Sequence, residues 1–193
     1  MIGDAPLSIY TNVPGWESPK EQELLAKYAK TLQATTNYVE IGSEFGMSAS
    51  IVRKFADQQV NVFCIDINLE APFLQNLTEA NLNNDRNHAI FGDSSKLVWD
   101  DLAYENGVPG DIDLLFIDGD HSYEGALKDL LRWTPYLRKG KCVILHDVAW
   151  DTNDKPHPLH FEVLKAVREW LQRPDIQFSF VEAADSMVVF RKV

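Results

Sequence analysis

The densest group of chemistry-bearing residues is Asp118-Gly119-Asp120-His121-Ser122-Tyr123-Glu124, directly after the apolar run Leu114-Leu115-Phe116-Ile117. Two carboxylates and an imidazole at the mouth of a buried strand can bind a divalent ion or move protons near neutral pH. A second apolar run, Cys142 to Leu145, ends in His146-Asp147. If these two strands are neighbours in a parallel sheet, Asp118, His146 and Asp147 can share one ion. Carboxylate oxygens suit Mg²⁺, while an imidazole tilts the set toward Mn²⁺, Fe²⁺ or Zn²⁺. The alternative is that the same carboxylates bind only substrate or cap adjoining turns.

Three more strand ends carry candidates. Tyr38-Val39-Glu40-Ile41 leads into Gly42-Ser43-Glu44-Phe45-Gly46-Met47-Ser48. Two glycines between a strand and a helix allow close backbone approach to a ligand, and the helix start adds a positive dipole. The spacing is GxxxG, so the GxGxxG dinucleotide fingerprint is not met. The other reading is a tight turn without a ligand. Asp66 ends the next strand, where a carboxylate can take both hydroxyls of a ribose or cap the following helix. Asp93 or Ser94 can meet an adenine edge, and Ser94 can equally cap a helix.

The elements that must position these groups alternate along the chain. Ser18-Pro19-Lys20-Glu21 reads as a capping box opening a helix through Leu24, Leu25, Tyr28 and Leu32. Strands are expected at 38–41, 60–67, 89–91, 112–117 and 142–145, with helices at 47–58, 70–83, 95–104, 123–137 and 159–172. Strands 176–182 and 186–192 follow with only a tight connection, so they are expected to pair antiparallel at one edge. The class is α/β, a mostly parallel, doubly wound sheet, in which ligands bind beyond the carboxyl ends of the strands. Residues 1–17 read as an irregular lead-in and 18–193 as a single domain. The polar stretch 148–160 is expected to act as a substrate lid, with Trp150, His157 and His160 as contacts.

Composition narrows the function classes. Eighteen Lys+Arg against 29 Asp+Glu give a net charge of −11. That surplus argues against nucleic acid, which requires a basic stripe, and against an anionic membrane surface. No apolar run approaches the roughly 20 residues of a membrane helix. Cys64 and Cys142 each sit in an apolar run and read as buried thiols in a reducing compartment. The expectation is a cytoplasmic protein with a small-molecule partner.

Taken together, the run from Tyr38 to Ser48, Asp66, the run Phe116-Ile117-Asp118-Gly119-Asp120-His121-Ser122-Tyr123-Glu124-Gly125 and the later Leu145-His146-Asp147 resemble class I S-adenosylmethionine-dependent methyltransferases. Within that class they look like the small O-methyltransferase branch that includes macrolide-sugar and cephalosporin-biosynthesis relatives. The resemblance implies a Rossmann-like seven-stranded sheet of order 3-2-1-4-5-7-6 with the last strand antiparallel. It implies S-adenosylmethionine over Gly42–Gly46, with Glu40 near its methionine end, Ser43, Ser48 and Asp118 among its contacts, the ribose on Asp66 and the adenine near Asp93 and Ser94. In metal-dependent relatives an Asp after strand four and an acidic pair after strand five hold Mg²⁺. Asp118 and Asp147 match, whereas His146 stands where a Glu is often found and Val148 where catechol-type enzymes carry Asn. His121 occupies the place of the general base, with Asp118 beside it. The implied reaction is methyl transfer to a hydroxyl of a small metabolite or sugar, with a divalent ion as the expected aid. A nicotinamide-dependent oxidoreductase and a non-catalytic nucleoside-binding module stand as alternatives, and assembly into a homo-oligomer is left open.

Overall fold

Helix α1 (Pro19–Ala29) starts where the capping box sits: Ser18 Oγ accepts from Glu21 N, and the Glu21 carboxylate accepts from Ser18 N. The computed structural model describes residues 5–68, 71–80, 82, 84–148 and 157–193. The lid contact Trp150 and most of the 148–160 segment lie outside these residues. Strand β1 (Asn37–Ile41), α2 (Met47–Phe55), β2 (Asn61–Asp66), α3 (Ala71–Glu79) and β3 (Asn87–Phe91) form the first half. Helix α4 (Trp99–Glu105), β4 (Ile112–Ile117), α5 (Tyr123–Trp133), β5 (Leu137–Leu145), α6 (Pro158–Gln172), β6 (Phe178–Ala184) and β7 (Met187–Lys192) form the second.

The strands make one seven-stranded sheet of order β3-β2-β1-β4-β5-β7-β6. The first five pair parallel, and β7 runs antiparallel to both β5 and β6. The expected order and the antiparallel last strand are therefore both present. The period of two along each strand sorts side chains to two faces. Val39, Ile41, Phe63, Ile65, Leu115 and Ile117 pack with Trp99, Trp133 and Trp170 of α4, α5 and α6. Tyr38, Val62, Cys64, Leu114, Phe116 and Ile144 face the other way, onto α1, α2 and α3. Burial on both faces is what makes β4 read as an unbroken apolar run. Both cysteines are buried and free.

Several boundaries differ from the sequence pattern for visible reasons. β5 begins at Leu137, five residues before its apolar run, because Arg138, Lys139 and Gly140 extend the strand while exposed to solvent. Pro135 ends α5 early, and Thr134–Tyr136 form a single 3₁₀ turn. α4 begins at Trp99 rather than at residue 95, since Asp93 to Lys96 close a turn in which Lys96 N donates to Asp93 O.

The parallel strands put the ends of β1, β2, β3, β4 and β5 on one edge of the sheet. The chain reverses its direction of travel across the sheet between β1 and β4, the place where such sheets leave a crevice. Asp118 N there donates to Ile41 O at 2.8 Å, and His146 N to Ile117 O at 3.0 Å. The ends of β1, β4 and β5 are thus stitched side by side.

Candidate active site

At the end of β1, Gly42 has φ +85° and Gly46, the N-cap of α2, has φ +86°. A Cβ on Gly42 would stand 2.0 Å from the Asp118 carbonyl oxygen, and one on Gly46 would stand 2.9 Å from the Phe73 ring. The two glycines are therefore required by the chain's own packing as well as by an open turn. The start of α2 has no side-chain cap, which leaves its first amides free to face an anionic or polar ligand group. Asp66 clamps the same turn: Oδ2 accepts from Ser43 N at 2.8 Å and Glu44 N at 2.9 Å, and Oδ1 accepts from Asn68 N at 2.7 Å.

Farther along the edge, Asp93 Oδ1 accepts from Ser95 N and Ser95 Oγ, and Oδ2 lies 2.9 Å from Lys96 Nζ. The Ser95 bonds, then the Lys96 ammonium, hold the Asp93 carboxyl down at about 2. Ser94 does not cap α4, whose N-cap is Val98. Its hydroxyl instead donates to Asp129 Oδ1 at 2.6 Å. Burial pushes Asp129 up to about 6 against that hydrogen bond.

The ends of β4 and β5 hold the titratable cluster. His121 Nε2 lies 3.2 Å from Asp118 Oδ1 and 3.5 Å from Asp147 Oδ2. One ligand atom from each of Asp118, His121 and Asp147 falls within 4.8 Å of the others, a span that one cation can bridge. His160 Nε2, from the first turn of α6, reaches Asp147 Oδ1 at 3.1 Å, while His157 caps that helix. His146 takes a different place from the one its sequence position suggested. Its side chain is 4% exposed, with Nδ1 3.0 Å from Asp118 Oδ1 and Nε2 3.4 Å from Glu21 Oε2. These are ion-pair contacts, since neither nitrogen has hydrogen-bond geometry toward a partner. His146 stands behind Asp118, and the open three-group cluster is completed by His121. Burial works to discharge His146, but Asp118 and Glu21 outweigh it and hold the imidazolium well above its usual range. Asp118 is pushed up by burial and pulled further down by His146 and His121. Hydrogen bonding to Asp118 raises His121 despite its partial burial.

Asp118, His121, His146 and Asp147 line one cavity of about 780 Å³, together with Gly42, Ser43, Met47, Ser48, Asp66, Asp93, Ser94 and Asp129. Its size suits a nucleoside-bearing ligand. Glu40 is not brought to the wall. It is wholly buried, accepts from Tyr38 Oη at 2.6 Å, and is pushed up to about 7 by burial against the pull of that hydroxyl. Its Oε1 and the buried Ser43 Oγ have no hydrogen-bond partner. Of the two, Ser43 lines the cavity, and an orphaned hydroxyl beside an uncapped helix start fits a site that a polar ligand completes.

Sequence reasoning missed three residues of the site. Asp129 shares a helical face with Ala126, Leu130 and Trp133, and a carboxylate on an apolar stripe was the available signal. Glu21, whose place in the capping box accounts for it in the sequence, also pairs with His146 and accepts from Ser186 N and Oγ. Glu17 lines the cavity from the lead-in, where no periodicity exists to expose it.

A doubly wound sheet of this order, with its cavity over the β1–β4 switch point, defines the class I S-adenosylmethionine-dependent methyltransferase fold. The profile of the methyltransferase domain matches residues 39–148, more than half of the chain, and the chain belongs to that family. An uncharacterised protein of Acanthamoeba polyphaga mimivirus is 28% identical over 112 residues, 57% of this chain. The chain spans half the length of that relative. Among solved structures, the O-methyltransferase from Bacillus cereus in complex with S-adenosylhomocysteine is 20% identical with a TM-score of 0.67, covering 94% of this chain and 85% of that one. The O-methyltransferase TomG from Streptomyces achromogenes, involved in tomaymycin synthesis and solved with S-adenosylmethionine, is 17% identical with a TM-score of 0.65, covering 91% and 81%. Both likenesses are of fold. Among the described residues no helix is long and apolar enough to cross a membrane.

Proposed function

We propose that the protein transfers a methyl group from S-adenosylmethionine to a hydroxyl of a small acceptor. The observation that carries this reading is that the turn after Gly42 and the Asp118–His121–Asp147 cluster line the same cavity. When bound, the donor supplies a sulfonium-activated methyl group. The chain's part is to bind, orient and deprotonate. The α2 start and Ser43 meet the donor's polar end, Asp66 its ribose, and Asp93 with Ser94 its base. His121 accepts the acceptor's hydroxyl proton as the oxygen takes the methyl group, and Asp118 and Asp147 orient the imidazole.

A second reading is favoured by the 4.8 Å cluster: Asp118, His121 and Asp147 would hold a divalent cation, which lowers the pKa of a bound hydroxyl. His121 then serves as a ligand, and the proton leaves to solvent. Calorimetric titration of S-adenosylmethionine and S-adenosylhomocysteine, with and without Mg²⁺ or Mn²⁺ and with NAD as control, tests both. Micromolar binding of the donor and none of NAD is the expected result, and a folded protein that binds neither donor nor product overturns the reading. Over a panel of hydroxylated acceptors, His121→Ala is expected to keep donor affinity and lose turnover by about 100-fold or more. Unchanged turnover removes His121 from the chemistry. Cation binding lost in Asp118→Asn would support the second reading, and no cation binding by the native protein would end it.

A further inference from the structure

Glu17 is a buried carboxylate of the lead-in segment. It is 7% exposed, yet it lines the cavity. Among the described residues no other side chain donates a hydrogen bond to it. Burial pushes it up to about 7, the His146 charge and its own backbone N–H pull the other way, and Asp118 and Glu40 push further up. A buried carboxyl facing a cavity in that state is costly unless a cationic group arrives.

The position of the carboxylate says which end of a ligand it meets. A Cβ on Gly15 would stand 2.8 Å from Glu17 Oε2 and 2.6 Å from Met47 Cβ. Glu17 therefore lies close to Met47, the first residue of α2, at the exit of the glycine turn. The segment that carries it is braced. Gln22 Nε2 donates to Glu17 O at 2.8 Å, Gln22 Oε1 accepts from Ser8 Oγ and Ile9 N, and Gly15 N donates to Pro6 O. A fixed acceptor of one negative charge suits a ligand ammonium.

We propose that Glu17 accepts a hydrogen bond from the α-ammonium group of the methionine part of S-adenosylmethionine, so that the lead-in segment forms one wall of the donor site. This rests on the donor reading above and extends it to a residue outside the strand ends.

The test is calorimetry of the native protein, Glu17→Gln and Glu17→Asp with three ligands: S-adenosylmethionine, S-adenosylhomocysteine and the analogue of the latter that lacks only the amino group. The expected result is that Glu17→Gln binds the first two about tenfold or more weakly and the desamino analogue unchanged, since a charge-assisted hydrogen bond is lost only where the ammonium exists. Glu17→Asp is expected to fall between. Equal weakening for all three ligands means that Glu17 only shapes the wall and overturns the proposal. So does weakening for S-adenosylmethionine alone, which would place the carboxylate on the sulfonium, and so does no weakening at all. A native protein that binds none of the three fails at the donor reading instead, an outcome separate from any effect of the variants. Should Glu17→Gln not fold, Glu17→Asp is read by the same ligand comparison.

Discussion

Gly42 meets two demands at one position. Its φ of +85° suits glycine, and the Asp118 carbonyl would lie 2.0 Å from any Cβ. Gly107, with φ +64° past the end of α4, meets only the first, because nothing lies within 4 Å of its Cβ position. Gly107→Ala should therefore cost about 1 kcal/mol, the strain of the left-handed conformation alone. Gly42→Ala should cost about 3 kcal/mol or more, since backbone rather than a flexible side chain must move. Chemical denaturation of the two variants checks the ordering, and equal losses would mean that β4 shifts freely. At this scale, legibility followed chemistry that interrupts an apolar run. Asp118, His121 and Asp147 stood out because polar groups directly follow buried strands. The exchange of His146 for His121 in the open cluster did not, because i and i+3 spacing after a strand does not say which ring turns outward. Asp66 was legible as an acid at a strand end. That it would hold Ser43 N and Glu44 N, rather than wait for a ligand alone, depends on the path of a loop two strands away.

α1 shows how one element serves several tasks. Its capping box fixes the helix start, and the same Glu21 reaches His146 and the Ser186 turn between β6 and β7. Ser18 Oγ donates to Asp185 Oδ2 across that turn. Ser18→Ala should cost about 1 kcal/mol through the lost cap. Glu21→Gln should cost more, since it leaves His146 with one carboxylate fewer in a buried site. A thermal melt of each variant measures the difference, and a smaller effect for Glu21→Gln would show that Asp118 alone satisfies the imidazole. The capping box was readable because its four residues are contiguous. The first half of β5 was not, because Arg138, Lys139 and Gly140 carry no apolar signal and lie where the register with β4 shifts, between the pairs Ile112–Leu137 and Leu114–Cys142. The same holds for α4, where the Asp93–Lys96 turn supplied polar residues that looked like a helix start.

For the molecule as a whole, the two cores carry the stability and a few buried acids set its pH dependence. Trp133 and Trp170 are wholly buried against the same face of the sheet, and replacing Trp133 by Ala should cost about 3–5 kcal/mol in denaturant unfolding. Glu17, Glu40 and Asp129 have carboxyls raised to about 7, 7 and 6 by burial. The folded chain therefore keeps protons that the unfolded chain releases above its ordinary carboxylate range. Stability from these groups is present at low pH and lost as pH rises through their folded values, at up to about 1.4 kcal/mol per pH unit per group. The melting temperature should fall between about pH 5 and pH 7.5, and Glu40→Gln should flatten that slope. A slope unchanged by Glu40→Gln would mean that Glu40 is already ionised at the acid end. The α/β class and the site's edge were legible because the alternation of strands and helices is a property of the whole chain. The place of β7 was implied by resemblance, as nothing local in residues 187–192 says that they insert between β5 and β6. That insertion bears on how the chain is made. A ribosome releases β5 and β6 before β7, so β5 emerges with a bare, apolar edge and no neighbour on that side until residues 187–192 appear. For that interval the nascent chain is a template for strand pairing with other nascent chains, and the protein's yield in a cell depends on how quickly β7 threads the gap or on a chaperone that covers it.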